Sequence, residues 1–190
     1  MVYGRSVVME ERTKTLVDSC NFMSVKPIMM DLPYPPIQVR EENQAYANLL
    51  TVDYCGFVSE MSAIMQYINI ESSLSLQRCS SAKIMLGIAM AEMIHLQKLG
   101  QLILLLGGNV DFIAKYRDGK SRMWTPQYVT VSHSEKEMLL SSIESEKEAI
   151  QQYQMHVKRM DDAYVKAVLV RIIQDEEYHI MMLQALLKKL

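Results

Sequence analysis

The chain has 190 residues, enough for one domain that buries most of its apolar surface, and 49% of them are hydrophobic. Its formal net charge of −2, without a basic block, argues against a nucleic-acid partner. The cysteines at positions 20, 55 and 79 lack Cys-x-x-Cys spacing, which predicts reduced thiols in a cytoplasmic protein. Residues 1–14 contain no apolar stretch of signal-peptide length.

Residues 1–37 are predicted to form an irregular N-terminal arm. Four prolines between positions 27 and 36 prevent a continuous helix and favour extended backbone. The arm either wraps the rest of the chain or covers an opening in it. Residues 38–190 are predicted to form a single helical domain.

The first half of this domain predicts two long helices. Helix one is expected over about residues 39–70, where apolar residues recur every three or four positions and Glu60 lies among them. Helix two is expected over about 77–106, ending at Gly107-Gly108. Its apolar run approaches membrane length, but Glu92, His95 and Lys98 interrupt it, so we favour a buried core helix over a membrane span.

The second half predicts two further helices after a long connection. Residues 107–133 are too long for an ordinary loop and suit a crossover along a bundle, with two short β-prone pieces. Ser134 and Glu137 form a capping box that opens helix three, and Asp161-Asp162 end it and cap helix four. The fold class is therefore all-α: an antiparallel four-helix bundle with its long crossover between helices two and three.

The two halves repeat one polar pattern on their apolar faces. A glutamate helix with Glu, Ala, Ile, Gln and Tyr at matching offsets precedes a helix with Glu-x-x-His, which suggests a duplicated two-helix unit. Residues three apart share a helix face, so each Glu-x-x-His presents a carboxylate and an imidazole to one point. The candidate metal ligands are Glu60, Glu92, His95, Glu146, Glu176 and His179.

Their spacing and charge predict a metal centre in one layer of the bundle. Glu60 and Glu92 are 32 residues apart in the first hairpin, and Glu146 and Glu176 are 30 residues apart in the second. Each glutamate therefore lies roughly 22–24 Å from the turn of its hairpin. Four buried glutamates would be costly if ionised and unpaired, and two divalent cations offset their charge. Carboxylate and imidazole donors without sulfur favour two iron or two manganese ions, with zinc a possible occupant of purified protein.

This arrangement resembles the ferritin-like carboxylate-bridged dimetal family over about residues 40–190. The segment 175–179 is similar to the helix-four motif of rubrerythrins and bacterioferritins. The resemblance implies that Glu92 and Glu176 bridge the metals and that Glu60 and Glu146 are terminal ligands. It further implies that His95 and His179 each bind one metal.

The sequence departs from the family pattern beside one histidine. Family members often carry an aspartate before each Glu-x-x-His; Asp175 matches it and would support His95. Position 91 is alanine, so His179 is expected to lack this partner, which would weaken one metal position. The sequence also lacks a rubredoxin-like cysteine module and the short fifth helix of many ferritins.

The resemblance implies an oxidoreductase that acts on peroxide or dioxygen and draws on an unidentified electron donor. Rubrerythrin-like peroxide reduction and manganese-catalase-like disproportionation are both consistent with it, and so is a substrate oxidase. Tyr34-Pro35-Pro36 is faintly similar to the manganese-catalase arm. The alternative is a ferroxidase for iron storage or transport, and a third reading is a bundle that keeps metal for stability. A homodimer is expected.

Other polar residues have simpler interpretations. Tyr67 and Tyr153 are candidate catalytic residues, as redox-active groups or hydrogen-bond donors, although packing alone also explains them. His133 and His156 are expected at the surface. The acidic neighbours of the ligands are expected in solvent: Glu144, Glu148 and Glu177.

Overall fold

The computed structural model describes residues 22–190. Beyond a 3-10 turn at Phe22–Ser24, residues 25–43 contain no helix or strand. A second 3-10 turn spans Pro126–Tyr128. The remaining elements are α1 (Gln44–Cys55), α2 (Glu60–Leu74), α3 (Cys79–Leu105), β1 (Ile113–Lys115), β2 (Ser121–Met123), α4 (Glu135–Arg159) and α5 (Ala163–Leu187).

The helices form the predicted bundle from two antiparallel hairpins. The segment α1–α2 fills the place of helix one and packs along α3, while α4 packs along α5. Residues 106–134 form the crossover between the hairpins, and its β-prone pieces pair as an antiparallel ribbon with Ile113 opposite Met123. The crossover is fastened to α2, where the Gln66 amide exchanges two hydrogen bonds with the backbone of Thr130 at 2.6 and 2.7 Å.

The prediction of one continuous first helix is wrong. α1 ends at Cys55, and α2 begins at Glu60 after a bend of four residues. The Ser59 hydroxyl donates to the Gly56 carbonyl at 2.8 Å and accepts the Ser62 N–H, so side chains take over hydrogen bonds that a continuous helix would make. Glu60 is therefore the first residue of a helix rather than a mid-helix residue.

The predicted helix ends of the second half are confirmed. The Ser134 hydroxyl accepts the Glu137 N–H at 3.2 Å at the start of α4. The Asp162 carboxylate accepts the N–H groups of Tyr164 and Val165 at the start of α5. After α3 the chain turns at Gly107, whose φ of 83° lies in the region that glycine adopts without strain.

The apolar core lies in two clusters, one on each side of the predicted ligand layer. One cluster contains Leu99 and Leu102 of α3 with Leu169 and Ile172 of α5. The other cluster, on the far side of the ligand layer, contains residues from the start of α3 and the end of α5: Met85, Ile88, Leu183 and Leu186. Polar ligands thus lie between two dry layers, which exclude water from both ends of the site.

Two further expectations concern α3. By length and composition α3 could cross a bilayer, but half of its most apolar window is buried within the protein, which suits a core helix. Reduced thiols at all three cysteines were expected, and this is wrong for Cys79, which is disulfide-bonded. Cys55 is a free, buried thiol, whereas Cys20 lies outside the described residues. The cytoplasmic location loses this support and stays a prediction.

Candidate metal centre

The six predicted ligand residues converge at the middle of the bundle, and each is at most 3% exposed. They form two groups in which the potential ligand atoms lie within 4.8 Å of one another. Each of α2 and α4 supplies one glutamate at the site, and each of α3 and α5 supplies a Glu-x-x-His. The groups are Glu60, Glu92, His95 and Glu176 on one side and Glu92, Glu146, Glu176 and His179 on the other.

The first group is centred on Nδ1 of His95. This nitrogen lies 2.8 Å from Oε2 of Glu92, 3.2 Å from Oε1 of Glu176 and 3.4 Å from Oε2 of Glu60. Three carboxylate oxygens from three helices thus face one imidazole nitrogen. Glu146 contributes to the other group instead.

The second group is centred on Nδ1 of His179 and uses the remaining oxygens. This nitrogen lies 2.9 Å from Oε2 of Glu176, 3.3 Å from Oε1 of Glu92 and 3.5 Å from Oε1 of Glu146. Glu92 and Glu176 therefore each divide their two oxygens between the two imidazoles. That division is the arrangement a carboxylate needs to bridge two ions.

Unpaired polar atoms at the centre fit a dimetal site. Oε2 of Glu60, Oε1 of Glu92, Oε2 of Glu176 and Nδ1 of His179 are buried and make no hydrogen bond to the described part of the chain. Such groups are costly unless something satisfies them. Four carboxylates and two imidazoles are donors that suit divalent iron or manganese.

The electrostatics of the cluster favour positive charge at its centre. Burial, followed by the charge of Glu92, raises the pKa of Glu60 well above its ordinary value. Burial and the charge of Glu176 raise the pKa of Glu146 to about 8. Burial also acts to raise the pKa of Glu92, but the charges of His179 and His95 and the hydrogen bonds to them together outweigh it and lower that pKa. Protons and metal cations therefore compete for the same carboxylates.

The two candidate tyrosines bind the glutamates of the opposite hairpin. The Tyr67 hydroxyl on α2 donates to Oε1 of Glu146, and the Tyr153 hydroxyl on α4 donates to Oε1 of Glu60. Both tyrosines are 2% exposed. The exchange is symmetric, as the sequence repeat predicts, and it holds each glutamate from the opposite helix. Their catalytic role stays a prediction.

Asp175 lies beside His95, as the resemblance implies. Its Oδ2 is 3.2 Å from Nε2 of His95 and accepts the Tyr34 hydroxyl at 2.8 Å. Its Oδ1 accepts the Met30 N–H at 2.7 Å and lies 2.6 Å from Nη1 of Arg171. Burial acts to raise the pKa of Asp175, but these hydrogen bonds outweigh it and lower the pKa to about 2.

His179 lacks the aspartate partner, as the sequence predicts, but a backbone group takes its place. Ala91 supplies none, but Nε2 of His179 lies 2.8 Å from the carbonyl oxygen of Ile28 in the N-terminal arm. Sequence reasoning missed this contact because a backbone carbonyl has no residue-type signature. Of the two roles considered for the arm, wrapping the bundle is the one its residues 28–34 adopt, since they pack against α3 and α5.

A second buried pair was also missed. His156 was expected at the surface, but it is 4% exposed, and its Nδ1 lies 2.7 Å from Oδ2 of the fully buried Asp53. The Gln152 amide donates at 2.8 Å to Oδ1 of Asp53 and to the Val58 carbonyl in the bend before α2. This network ties α4 to the α1–α2 bend, and so supports the segment that positions Glu60. His133, in contrast, is exposed as expected.

A cavity of about 280 Å³ connects the cluster to the surface between α2 and α4. The four predicted ligand glutamates and both tyrosines line it, and each of them is at most 3% exposed. Phe57 and Tyr128 lie at its wall, and the exposed Glu144 and Glu148 lie near its mouth. A small polar molecule can therefore reach the carboxylates without passing the histidines.

Comparisons with known proteins agree with this geometry. A probable manganese catalase of Clostridium acetobutylicum is 25% identical over 160 residues, covering 75% of this chain and 70% of that protein. The manganese catalase KatB from Anabaena superposes with a TM-score of 0.71 at 25% identity, covering 84% of this chain and 78% of that chain. A bacterioferritin of Desulfovibrio desulfuricans shares the fold, with a TM-score of 0.62 at 22% identity over 76% of this chain and 78% of that chain.

A family model supplies the assignment. The model described as rubrerythrin matches residues 55–187, a range that includes all six predicted ligands. The match thus covers α2 to α5 together with the predicted ligand pattern. This chain belongs to the rubrerythrin family.

Proposed function

We propose that this protein is a dinuclear manganese enzyme that disproportionates hydrogen peroxide, turning two peroxide molecules into two waters and one dioxygen. The observation that carries the proposal is the division of the Glu92 and Glu176 oxygens between two imidazoles, at the base of a cavity open to small molecules. Of the related proteins reported above, one is a manganese catalase and another a probable manganese catalase, which favours manganese over iron and peroxide as the substrate.

Each of the six predicted ligand residues would have its own place around the two metal ions. Glu92 and Glu176 would bridge the two ions, Glu60 and His95 would complete one position, and Glu146 and His179 the other. When bound, the metal pair supplies a two-electron redox couple that takes electrons from one peroxide and returns them to another. This balanced exchange needs no external electron donor.

The remaining residues of the cavity would orient the ligand glutamates and enclose the substrate. Tyr153 is proposed to hold Glu60 through Oε1 and to leave Oε2, which faces His95, available. Tyr67 is proposed to hold Glu146 through Oε1, the oxygen that also lies 3.5 Å from Nδ1 of His179. Because both tyrosines line the cavity and each hydroxyl proton is used on a glutamate, their hydroxyl oxygens can accept a hydrogen bond from a bound peroxide. The apolar wall contributed by Phe57 and Tyr128 limits the water around the substrate.

The experiment is metal analysis and dioxygen evolution on protein produced separately with manganese and with iron and purified without chelator. We expect about two manganese ions per chain and one dioxygen for about every two peroxides consumed. Glu176→Gln should lose both metal and activity, whereas Glu177→Gln, an exposed neighbour on the same helix, should lose neither. Manganese-loaded protein that evolves no dioxygen would contradict the proposal.

Ferrous iron oxidation is the second candidate, because the chain shares its fold with a bacterioferritin that has a diiron site, and its own carboxylate and imidazole donors suit iron. Iron-loaded protein that oxidises added ferrous iron with dioxygen, and assembles into a large oligomer by light scattering, would support it. Peroxide consumption only in the presence of an added reductant would instead indicate a peroxidase. The proposed homodimer is tested in the same scattering measurement.

A further inference from the structure

The outward-facing nitrogens of the two imidazoles have different partners. Nε2 of His95 faces the carboxylate of Asp175 at 3.2 Å, whereas Nε2 of His179 faces the Ile28 carbonyl at 2.8 Å. Asp175 and Ala91 hold equivalent places in the repeat, each directly before a Glu-x-x-His. The arm therefore supplies a neutral backbone acceptor where the other half of the bundle uses a charged side chain.

The Ile28 carbonyl determines which nitrogen of His179 is available to a metal. A carbonyl oxygen can only accept a hydrogen bond, so Nε2 must carry the proton. In the neutral ring, Nδ1 then keeps its lone pair, and Nδ1 is the atom that faces Glu92, Glu146 and Glu176. Without this contact, the ring could rotate or take the other tautomer.

Close packing holds the carbonyl in place. The Ile28 N–H donates to the Gly87 carbonyl of α3 at 2.9 Å. A Cβ at position 87 would lie 2.7 Å from Cγ1 of Ile28 and 3.0 Å from the Lys26 carbonyl. Only glycine therefore lets the arm approach α3 this closely.

The same arm supports the His95 side a few residues later. The Met30 N–H and the Tyr34 hydroxyl both donate to Asp175. Arg171 donates to the carbonyls of Met30 and Leu32, which holds this part of the arm against α5. Residues 28–34 thus supply the outer partner of His179 and donate hydrogen bonds to Asp175, the outer partner of His95.

We propose that the arm is an integral part of the metal centre and makes its two positions unequal. The role assigned to the Ile28 carbonyl rests on the dimetal site proposed above. The carbonyl is a positioning group for His179 and takes the place of an aspartate at residue 91. A carboxylate partner makes an imidazole a stronger donor than a carbonyl does, so the His95 position binds its ion more tightly than the His179 position.

A backbone substitution tests this directly. Replacing Met29 by its α-hydroxy acid turns the Ile28 carbonyl into an ester carbonyl, a weaker acceptor, and leaves every side chain unchanged. Zinc titration by calorimetry, with nitrogen NMR of the histidine rings, should show one binding step weakened about 10- to 100-fold and the His179 signals shifted. The same ester at Val39, away from both imidazoles, is the control.

A side-chain pair provides a second test. Gly87→Ala should displace Ile28 and weaken the same binding step, and adding Ala91→Asp should restore it by supplying the missing carboxylate. Gly100→Ala is the matched control on α3, because a Cβ there has its nearest contact at 3.4 Å.

The outcomes separate the two proposals. Two unchanged zinc steps in the ester variant, or two steps weakened equally, would overturn the unequal role of the arm while leaving the dimetal site intact. Unmodified protein that binds no zinc, manganese or iron would overturn the dimetal site itself, and the inference with it.

Discussion

The buried Asp53–His156 pair should contribute strongly to stability, although it lies outside the ligand set. Asp53 is fully buried and lies 2.7 Å from Nδ1 of His156 and 2.8 Å from Nε2 of Gln152. Asp53→Ala removes both contacts and leaves the imidazole without its partner. Hydrogen bonds to charged groups contribute about 1.5–3 kcal/mol each, and breaking a buried pair costs about 3–5 kcal/mol. We therefore expect the free energy of unfolding to fall by about 3–5 kcal/mol.

This loss is measured by urea denaturation monitored by far-ultraviolet circular dichroism, and the m-value should be the same for the variant and the unmodified protein. Asp118→Ala is the control: Asp118 is half-exposed and forms an ion pair with the exposed Lys120, so its loss should change stability by about 0.5 kcal/mol or less. A loss below about 1 kcal/mol for Asp53→Ala would refute the reasoning, because buried His156 would then be stable in the folded state without Asp53 as its partner. Zinc affinity measured on the folded variant would show whether the Val58 bend also positions Glu60.

Three further predictions concern the site and the core. Glu92→Ala should lower metal occupancy at both positions because each of its oxygens faces a different imidazole, and full occupancy by elemental analysis would refute the ligand assignment. Tyr67→Phe should destabilise the metal-free protein by about 1–3 kcal/mol in urea, because Glu146 loses a buried donor; an unchanged midpoint would show that the hydroxyl serves packing alone. Cys55 should resist alkylation at pH 8 in folded protein, because burial raises the pKa of its thiol to about 12 and the reactive thiolate is scarce below that pH. Its alkylation rate should rise only as urea unfolds the chain, and rapid labelling in native buffer would contradict its placement in the core.

Some failures of sequence reasoning arose from local competition with the helix. The apolar spacing of residues 39–70 continues through Gly56, so periodicity alone predicts one helix. Hydroxyl groups at Ser59 and Ser62 offer the backbone other hydrogen bonds, and the chain bends there. Which of these alternatives wins depends on the crossover and on Gln152, which pack around the bend.

Other failures arose because the partner is distant in sequence or is not a side chain. His156 lies off the apolar stripe of its helix, yet Asp53, 103 positions earlier, makes its burial possible. The Ile28 carbonyl is separated from His179 by 151 positions and could have come from any residue. Long-range packing decides such contacts, and a helical period carries no information about them.

The sequence by itself determined the bundle and predicted the six residues that converge at its centre. A helix repeats every 3.6 residues, so a charged residue on an apolar stripe must point inward, and two matching hairpins must place such residues at one height. The tertiary structure alone decided how the ligand oxygens divide between two positions, where the cavity opens and which groups orient the imidazoles. Those features depend on ångström-scale packing between distant segments, whereas the ligand pattern depends only on spacing within each helix.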